Sequence, residues 1–190
     1  MSPGDKKPKS VVRRMFASAG WREIAFLALA VLAVRLLGDL GYRFNTSESI
    51  PRGIYSFRTG SIERGAFVAV CLPPALSKTG IERGYLVPGE CFGGARPVLK
   101  RALGLPGDLV TVAETVAING VEIPDSRRAA LDSRGRWLDR VPIGEYALGT
   151  SELWLGSLHE KGWDSRYWGP IRQEATLAIA VPEWLWDQPE

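Results

Sequence analysis

Histidine is nearly missing from this chain. Of 190 residues one, His159, is a histidine, and two, Cys71 and Cys91, are cysteines, with no CxxC pair. A zinc or redox site made from such ligands is therefore not expected, and neither is a cofactor. Basic residues interleaved with aromatics, the footprint of a nucleic-acid surface, are missing beyond residue 20, where acids and bases alternate. No nucleic acid is expected as a partner. The formal charge of +3 is small, and much of it sits at the front, where Lys6, Lys7, Lys9, Arg13 and Arg14 face only Asp5. Internal repeats and low-complexity stretches are absent. The length suits one domain with an appendage.

What is present begins with an apolar segment, "WREIAFLALAVLAVRLLGDLGYRF", from Trp21 to Phe44. Ile24 to Val34 is unbroken; Arg35 and Asp39 interrupt later. A spanning helix needs roughly 20 mainly apolar residues, with a lower limit near 17. The run reaches that only if Arg35 and Asp39 lie near one end. They are four apart, so they share a helix face and can pair, and Arg35 can snorkel. Trp21 and Tyr42 flank the run as interfacial aromatics do, and the basic head is of the kind that stays in the cytoplasm. Three readings stand: an uncleaved anchor, a cleaved signal segment, or a buried helix. On the first, residues 1–20 are a cytoplasmic leader, 21–43 a membrane anchor or signal segment in the inner membrane, and 44–190 a periplasmic domain. Export with an even cysteine count permits one disulfide between Cys71 and Cys91; two buried thiols are the other possibility.

After residue 44 helical periodicity is scarce and short β-type runs recur between turn signals. They are Ala66 to Leu72, Pro97 to Leu103, Leu109 to Ala113, Thr115 to Ile123, Glu152 to Leu158 and Ala175 to Val181. Asn119-Gly120 in the fourth is a hairpin signal. Segments 74–90 and 124–148 read as loops or insertions. The expected fold class is mainly β, antiparallel sheets with long excursions.

Three stretches carry candidate chemistry. In "FNTSESIPRGIYSF" (Phe44 to Phe57) the hydroxyls of Thr46, Ser47 and Ser49 crowd before a Pro51-Arg52-Gly53 turn. A serine attacks only if a base takes its proton. His159, in the charged stretch "SLHEKGWDSR", is one candidate, though such a residue is ordinarily solvated. A lysine is the other. Lys100 sits mid-strand in "PVLKRALGLPGD", where alternation puts Val98, Lys100 and Ala102 on one face. A free lysine titrates near 10.4; burial lowers that value and can make it a base. A snorkelling strand lysine is the competing reading. In "GWDSRYWG" (Gly162 to Gly169), Asp164 and Arg166 are two apart and point the same way on an extended segment. A buried carboxylate–guanidinium pair and a surface pair in a tight turn both fit.

In this order after one apolar segment, "SESIPRGIY", "KRALGLPGD" and "WDSRYWG" resemble the signal peptidase I superfamily of Ser-Lys proteases. The finer resemblance is to its conjugal-transfer branch, the TraF peptidases. Asn45 to Tyr55 matches that branch's N-x-[ST]-x-S-x-P-x-G-x-Y without a gap. Cys71-Leu72-Pro73, "YLVPGEC" (Tyr85 to Cys91), the Asn-Gly hairpin and the Asp132 to Arg136 stretch match as well. Where ordinary signal peptidases have S-M-x-P, this chain has Ser49-Ile50-Pro51, which favours the TraF branch.

The resemblance implies Ser49 as nucleophile, Lys100 as general base, Asp164 as the third required residue, Arg166 as its support and Ser47 as an oxyanion donor. It implies a domain of coiled antiparallel β-sheets, and a serine endopeptidase that processes, and can cyclise, a pilin precursor beside other conjugation-apparatus proteins. A general signal peptidase and an inactive scaffold of the mating apparatus are the rivals. One position departs. Many relatives carry a lysine-orienting serine where this chain has Gly162, which leaves Ser165, a backbone carbonyl or a water to hold the lysine, or leaves the lysine less well held.

Overall fold

A computed structural model describes residues 20–186. The expected basic leader, residues 1–20, lies outside these except for Gly20. The apolar segment forms helix α1 (Trp21–Asp39), in which no residue is buried. Its first turn is closed by Glu23, whose carboxylate accepts from the Gly20 N–H at 3.2 Å. The expectation of a membrane span is corrected: among the described residues no helix is long and apolar enough to cross a membrane. Charge placement is the reason. Arg22 and Glu23 precede the unbroken apolar stretch, and Arg35 and Asp39 end it on the other side. At 1.5 Å per residue, Ile24 to Val34 rises about 16 Å, roughly half of a bilayer core.

The domain that begins at Gly41 is a unit of its own. It is mainly β, and every strand pairing is antiparallel. Seven strands form the larger sheet: β1 (Tyr42–Asn45), β2 (Gly53–Arg58), β3 (Phe67–Val70), β4 (Val98–Gly104), β9 (Glu152–Gly156), β10 (Ile171–Arg172) and β11 (Thr176–Leu185). Their spatial order is β1-β2-β11-β3-β4-β9-β10. The smaller sheet has the order β7-β6-β5-β8, from β5 (Leu109–Val112), β6 (Val116–Ile118), β7 (Val121–Glu122) and β8 (Gly144–Ala147). Asn119 and Gly120, both at positive φ, make the β6–β7 turn, as an Asn-Gly hairpin requires.

Segment 74–90 departs from its expected loop. Pro74 opens a helix, α2 (Pro74–Arg83). Pro73-Pro74 reads as the end of a strand, but a proline in the first turn also starts a helix, because its missing N–H would have no partner there. The disulfide Cys71–Cys91 joins the end of β3 to the chain beyond α2.

Alternation along the strands feeds three clusters. Val68, Val70, Ala102, Leu153, Leu155 and Ile171 fill one face of the larger sheet. Val110, Val112, Val116 and Ile118 of the smaller sheet close on Trp154 of β9 and Leu103 of β4, which tie the two sheets together. Ile50, Tyr55 and Ala180 lie under the loop that carries Ser49. Each large side chain so buried contributes roughly 1.5–3 kcal/mol, which fixes β2, β4 and β9 as a frame for the polar groups between them.

Candidate active site

Ser49 stands on a loop between β1 and β2, and the loop is held by side chains at both ends. Asn45 is buried, and its amide donates to the carbonyls of Ser47, Ile50 and Pro51 at 3.0–3.1 Å. Its Oδ1 accepts from the backbone N–H and the hydroxyl of Ser47. At the far end the Tyr55 hydroxyl donates to the Pro51 carbonyl at 2.6 Å. Leu158 N–H donates to the Ser49 carbonyl at 2.9 Å. The asparagine and tyrosine that begin and end the quoted motif are thus its two anchors. Gly53 is the one residue that fits where the loop enters β2: a Cβ there would overlap the Trp184 carbonyl of β11.

Lys100 lies on β4 opposite Val68 of β3, and it is 4% exposed. The snorkelling alternative does not describe it. Its Nζ is 2.9 Å from Ser49 Oγ and 2.7 Å from Ser157 Oγ. Burial pushes the amine down from its usual range to about 8; the Asp164 charge pulls it back up and the Arg166 charge opposes that. Arg101, its neighbour on the strand, points to solvent, so β4 separates one charge from water and leaves the next in it.

Asp164 and Arg166 form a buried pair, but not on an extended segment. Asp164 caps a short turn, α3 (Ser165–Trp168), and accepts from the Arg166 N–H. The guanidinium grips both carboxylate oxygens at 2.8 Å and spends its remaining hydrogens on the carbonyls of Asp125, Arg127, His159 and Gly162. Arg166 is raised above its usual range: the bonds and charge of Asp164 outweigh burial, which is the largest single influence and acts downward. Asp164 Oδ2 also accepts from the Ser157 N–H at 2.8 Å.

The structure therefore brings Ser49, Lys100, Asp164 and Arg166 into one connected group. Ser47 lines the same cleft, but its hydroxyl is turned to Asn45, 2.7 Å away, and would have to rotate to meet an oxyanion. Among the described residues His159 has no hydrogen bond to Ser49. Its Nδ1 accepts from the Lys161 N–H, and its Nε2 lies 3.7 Å from Glu48. Cys71 and Cys91 are away from this group and joined to each other. Among the described residues, no group of side chains is placed to hold a metal ion. Of the three stand-ins expected near Gly162, Ser165 is excluded, since its hydroxyl accepts from the Leu155 N–H. Sequence reasoning missed Ser157, the second partner of Lys100. The signal was present: Ser157 continues the buried Leu153, Leu155 series, so a hydroxyl falls at a core-facing position.

The group opens into a cleft of about 930 Å³. One wall is the start of β4. Val98 and Leu99 pair with β3 on one side, whereas β9 joins the other side only from Arg101 onward. Tyr85, Leu131, Asp132 and Trp163 line the cleft as well. Asp132 pins this part of the lining, accepting from the Tyr85 hydroxyl, the N–H groups of Arg134 and Arg136 and the Arg136 guanidinium; these bonds hold its carboxyl well below the usual range. A half-buried serine hydroxyl beside a buried lysine amine in a peptide-sized cleft is an arrangement suited to acyl transfer.

Comparison with known proteins points the same way. The family described as signal peptidase, peptidase S26, matches residues 24–185. A plasmid transfer protein TraF of Escherichia coli is 37% identical over 173 residues, 87% of this chain and 97% of that protein. A conjugal transfer protein TraF of Agrobacterium fabrum is 34% identical over 171 residues, 86% of this chain and 96% of its own. A solved signal peptidase I of Enterococcus faecalis overlaps 63% of this chain at 19% identity and a TM-score of 0.36, too distant to bear on the reading.

Proposed function

This chain belongs to the peptidase S26 family, with TraF transfer proteins as its relatives, and from that premise we propose that it is a Ser-Lys endopeptidase which matures a pilin precursor of a conjugation apparatus. The observation that carries the proposal is the 2.9 Å contact between Ser49 Oγ and a lysine amine lowered to about 8. A serine next to an ordinary lysine meets almost no neutral amine near pH 7; here the neutral amine is a sizeable minority there and predominates above about 8.

The chemical steps rest on this geometry. An extended substrate segment lies along the unpaired side of Val98 and Leu99, main chain to main chain. Ser49 Oγ attacks the scissile carbonyl carbon while its proton passes to Lys100 Nζ. Charge on the carbonyl oxygen is met by Ser47 after its hydroxyl turns from Asn45. The tetrahedral adduct collapses, the C–N bond breaks, and the leaving amine takes the proton from Lys100. An ester at Ser49 remains. The amine at the pilin's own N-terminus then attacks it, giving Lys100 a proton that returns to Ser49 Oγ as the ester breaks. An amine held beside the ester outcompetes water through its effective molarity. The product is a cyclic pilin.

Export to the periplasm with attachment to the inner membrane completes the reading. Its support is the exposed apolar surface of α1, where Phe26, Leu27 and Leu29 are each more than half exposed, together with the basic residues before it.

Co-expression of the full chain with pilin precursors, followed by mass spectrometry, tests the proposal. The expected product is one water lighter than the linear mature chain and has no free N-terminus, and it is absent with Ser49→Ala. A linear product limits the reading to hydrolysis. Cleavage of ordinary signal peptides with pilins left intact replaces it with a general signal peptidase.

A further inference from the structure

Gly162 and Ser157 compete for one space. An ideal Cβ built on Gly162 would overlap both Cβ and Oγ of Ser157. The two side chains cannot coexist, and the volume that a side chain at 162 would fill is the one Ser157 fills now. That volume is where Lys100 Nζ finds its second partner, 2.7 Å away.

Ser157 is held there from behind. It directly follows β9, and its N–H donates to Asp164 Oδ2 at 2.8 Å. Leu158, the next residue, donates its N–H to the Ser49 carbonyl. Among the described residues Asp164 has no hydrogen bond to Lys100 itself; its bonds run to Ser157 and Arg166. Among the described residues the Ser157 hydroxyl has Lys100 as its one hydrogen-bond partner.

Resting on the Ser-Lys reading, we propose that Ser157 is the positioning residue that aims the Lys100 amine at Ser49, that Asp164, besides the pull of its charge, sets the amine's direction by fixing the Ser157 backbone, and that Gly162 is glycine because Ser157 occupies its side-chain space. A lysine amine on four rotatable methylenes reaches many positions. Ser49 Oγ alone leaves it free to swing about that contact, whereas two oxygens, at 2.9 and 2.7 Å, define its direction. Ser157 touches neither the substrate nor the reacting carbon; it works through the lysine.

The hydroxyl can therefore be supplied from either address but not from both. Ser157→Gly empties the space. Gly162→Ser in that background puts its Cβ near the former Ser157 Cβ and carries a hydroxyl toward Lys100. The His159 carbonyl, 3.0 Å from the new Cβ, must give by a few tenths of an ångström.

The experiment uses the full chain in detergent and a small activated ester, 4-nitrophenyl acetate, as probe. Acylation of Ser49 is read as the nitrophenolate burst, with thermal unfolding recorded for every variant. Ser49→Ala and Lys100→Arg abolish the burst if the Ser-Lys reading holds; a burst surviving in either overturns that reading rather than the role of Ser157. Ser157→Ala is expected to unfold normally and to acylate about tenfold to a hundredfold more slowly, the scale of a misaimed catalytic group. Gly162→Ser alone is expected to lose a similar factor, because Ser157 and the new side chain collide. Ser157→Gly with Gly162→Ser is expected to recover at least tenfold over Ser157→Gly. Should a variant unfold, the titration of Lys100 followed by NMR in Ser157→Ala is the second measurement, and an amine that loses its partner must shift its midpoint. Wild-type acylation in Ser157→Ala, an unmoved Lys100 midpoint, or a double variant no faster than Ser157→Gly each overturns the proposal.

Discussion

The guanidinium of Arg166 holds both carboxylate oxygens of Asp164 at 2.8 Å, and it does so inside the protein, where neither residue is more than 4% exposed. Such a pair is costly to break, because the partner left behind is a charge without water. Arg166→Lys keeps the charge but loses the fork and most of the four carbonyl contacts. It is expected to lower stability by about 3–5 kcal/mol and to abolish acylation. Urea unfolding monitored by tryptophan fluorescence checks the first, and the ester burst the second.

Lys100 gives a pH dependence of definite sign. On the proposed mechanism only the neutral amine takes a proton from Ser49, so the acylation rate is expected to rise with pH and level off above about 8. A rate flat between pH 6 and 9, with acylation limiting, contradicts this.

Lysine burial also has a stability side. The folded state binds this proton less tightly than the unfolded state, whose lysine titrates near 10.4, so stability rises with pH between about 8 and 10.4. Below 8 the full penalty applies, on the order of 3 kcal/mol for a shift of this size. Lys100→Met removes the penalty and forfeits two hydrogen bonds. The variant is expected to be inactive yet about 1–2 kcal/mol more stable at pH 7. Denaturation curves for the two proteins at pH 7 and pH 10 decide, with the difference shrinking at the higher value.

The Cys71–Cys91 bond joins cysteines separated by 20 positions in sequence and closes a loop that contains α2 and the cleft residues Tyr85 to Val87. Replacing both cysteines with alanine is expected to cost about 3 kcal/mol on the chain-entropy account. Protease nicking between residues 84 and 90 is expected to accelerate more than nicking elsewhere, which limited proteolysis with mass spectrometry reads out.

Gly53→Ala is expected to destabilise by about 1–3 kcal/mol, the usual range for forced overpacking, because the atom the new Cβ overlaps first is the Trp184 carbonyl oxygen of the β11 backbone. A crystal structure of the variant is expected to show β11 displaced near Trp184. An unchanged unfolding midpoint contradicts the close approach.

How legible was all this in the sequence? The strands at Phe67, Val98, Leu109, Val116, Glu152 and Thr176 declare themselves through alternation and turns, and so does the Asn119-Gly120 hairpin, because these signals lie within a few residues. Ser49, Lys100, Asp164 and Arg166 stood out by motif. Helix α2 did not, since Pro73-Pro74 signals a strand end and a helix start equally well. The apolar run at Ile24 foretold a helix but not its reach, which charges at both margins limit. Ser157 stayed hidden for a different reason. Alternation tells which way a side chain points, but not that residues 157 and 162 meet in space, and that meeting explains the glycine.

The anchoring of the Ser49 loop has a consequence for how this chain can change. Asn45 and Tyr55 grip main-chain carbonyls, so the path of the loop depends little on which side chains it carries. Ile50 is committed to the core, but Thr46 and Glu48 are exposed and face the cleft. These two positions can change while Ser49 keeps its place. A library randomised at 46 and 48 thus explores new peptide preferences on a fixed frame, a division of labour that lets recognition diverge while the loop that carries Ser49 stays put.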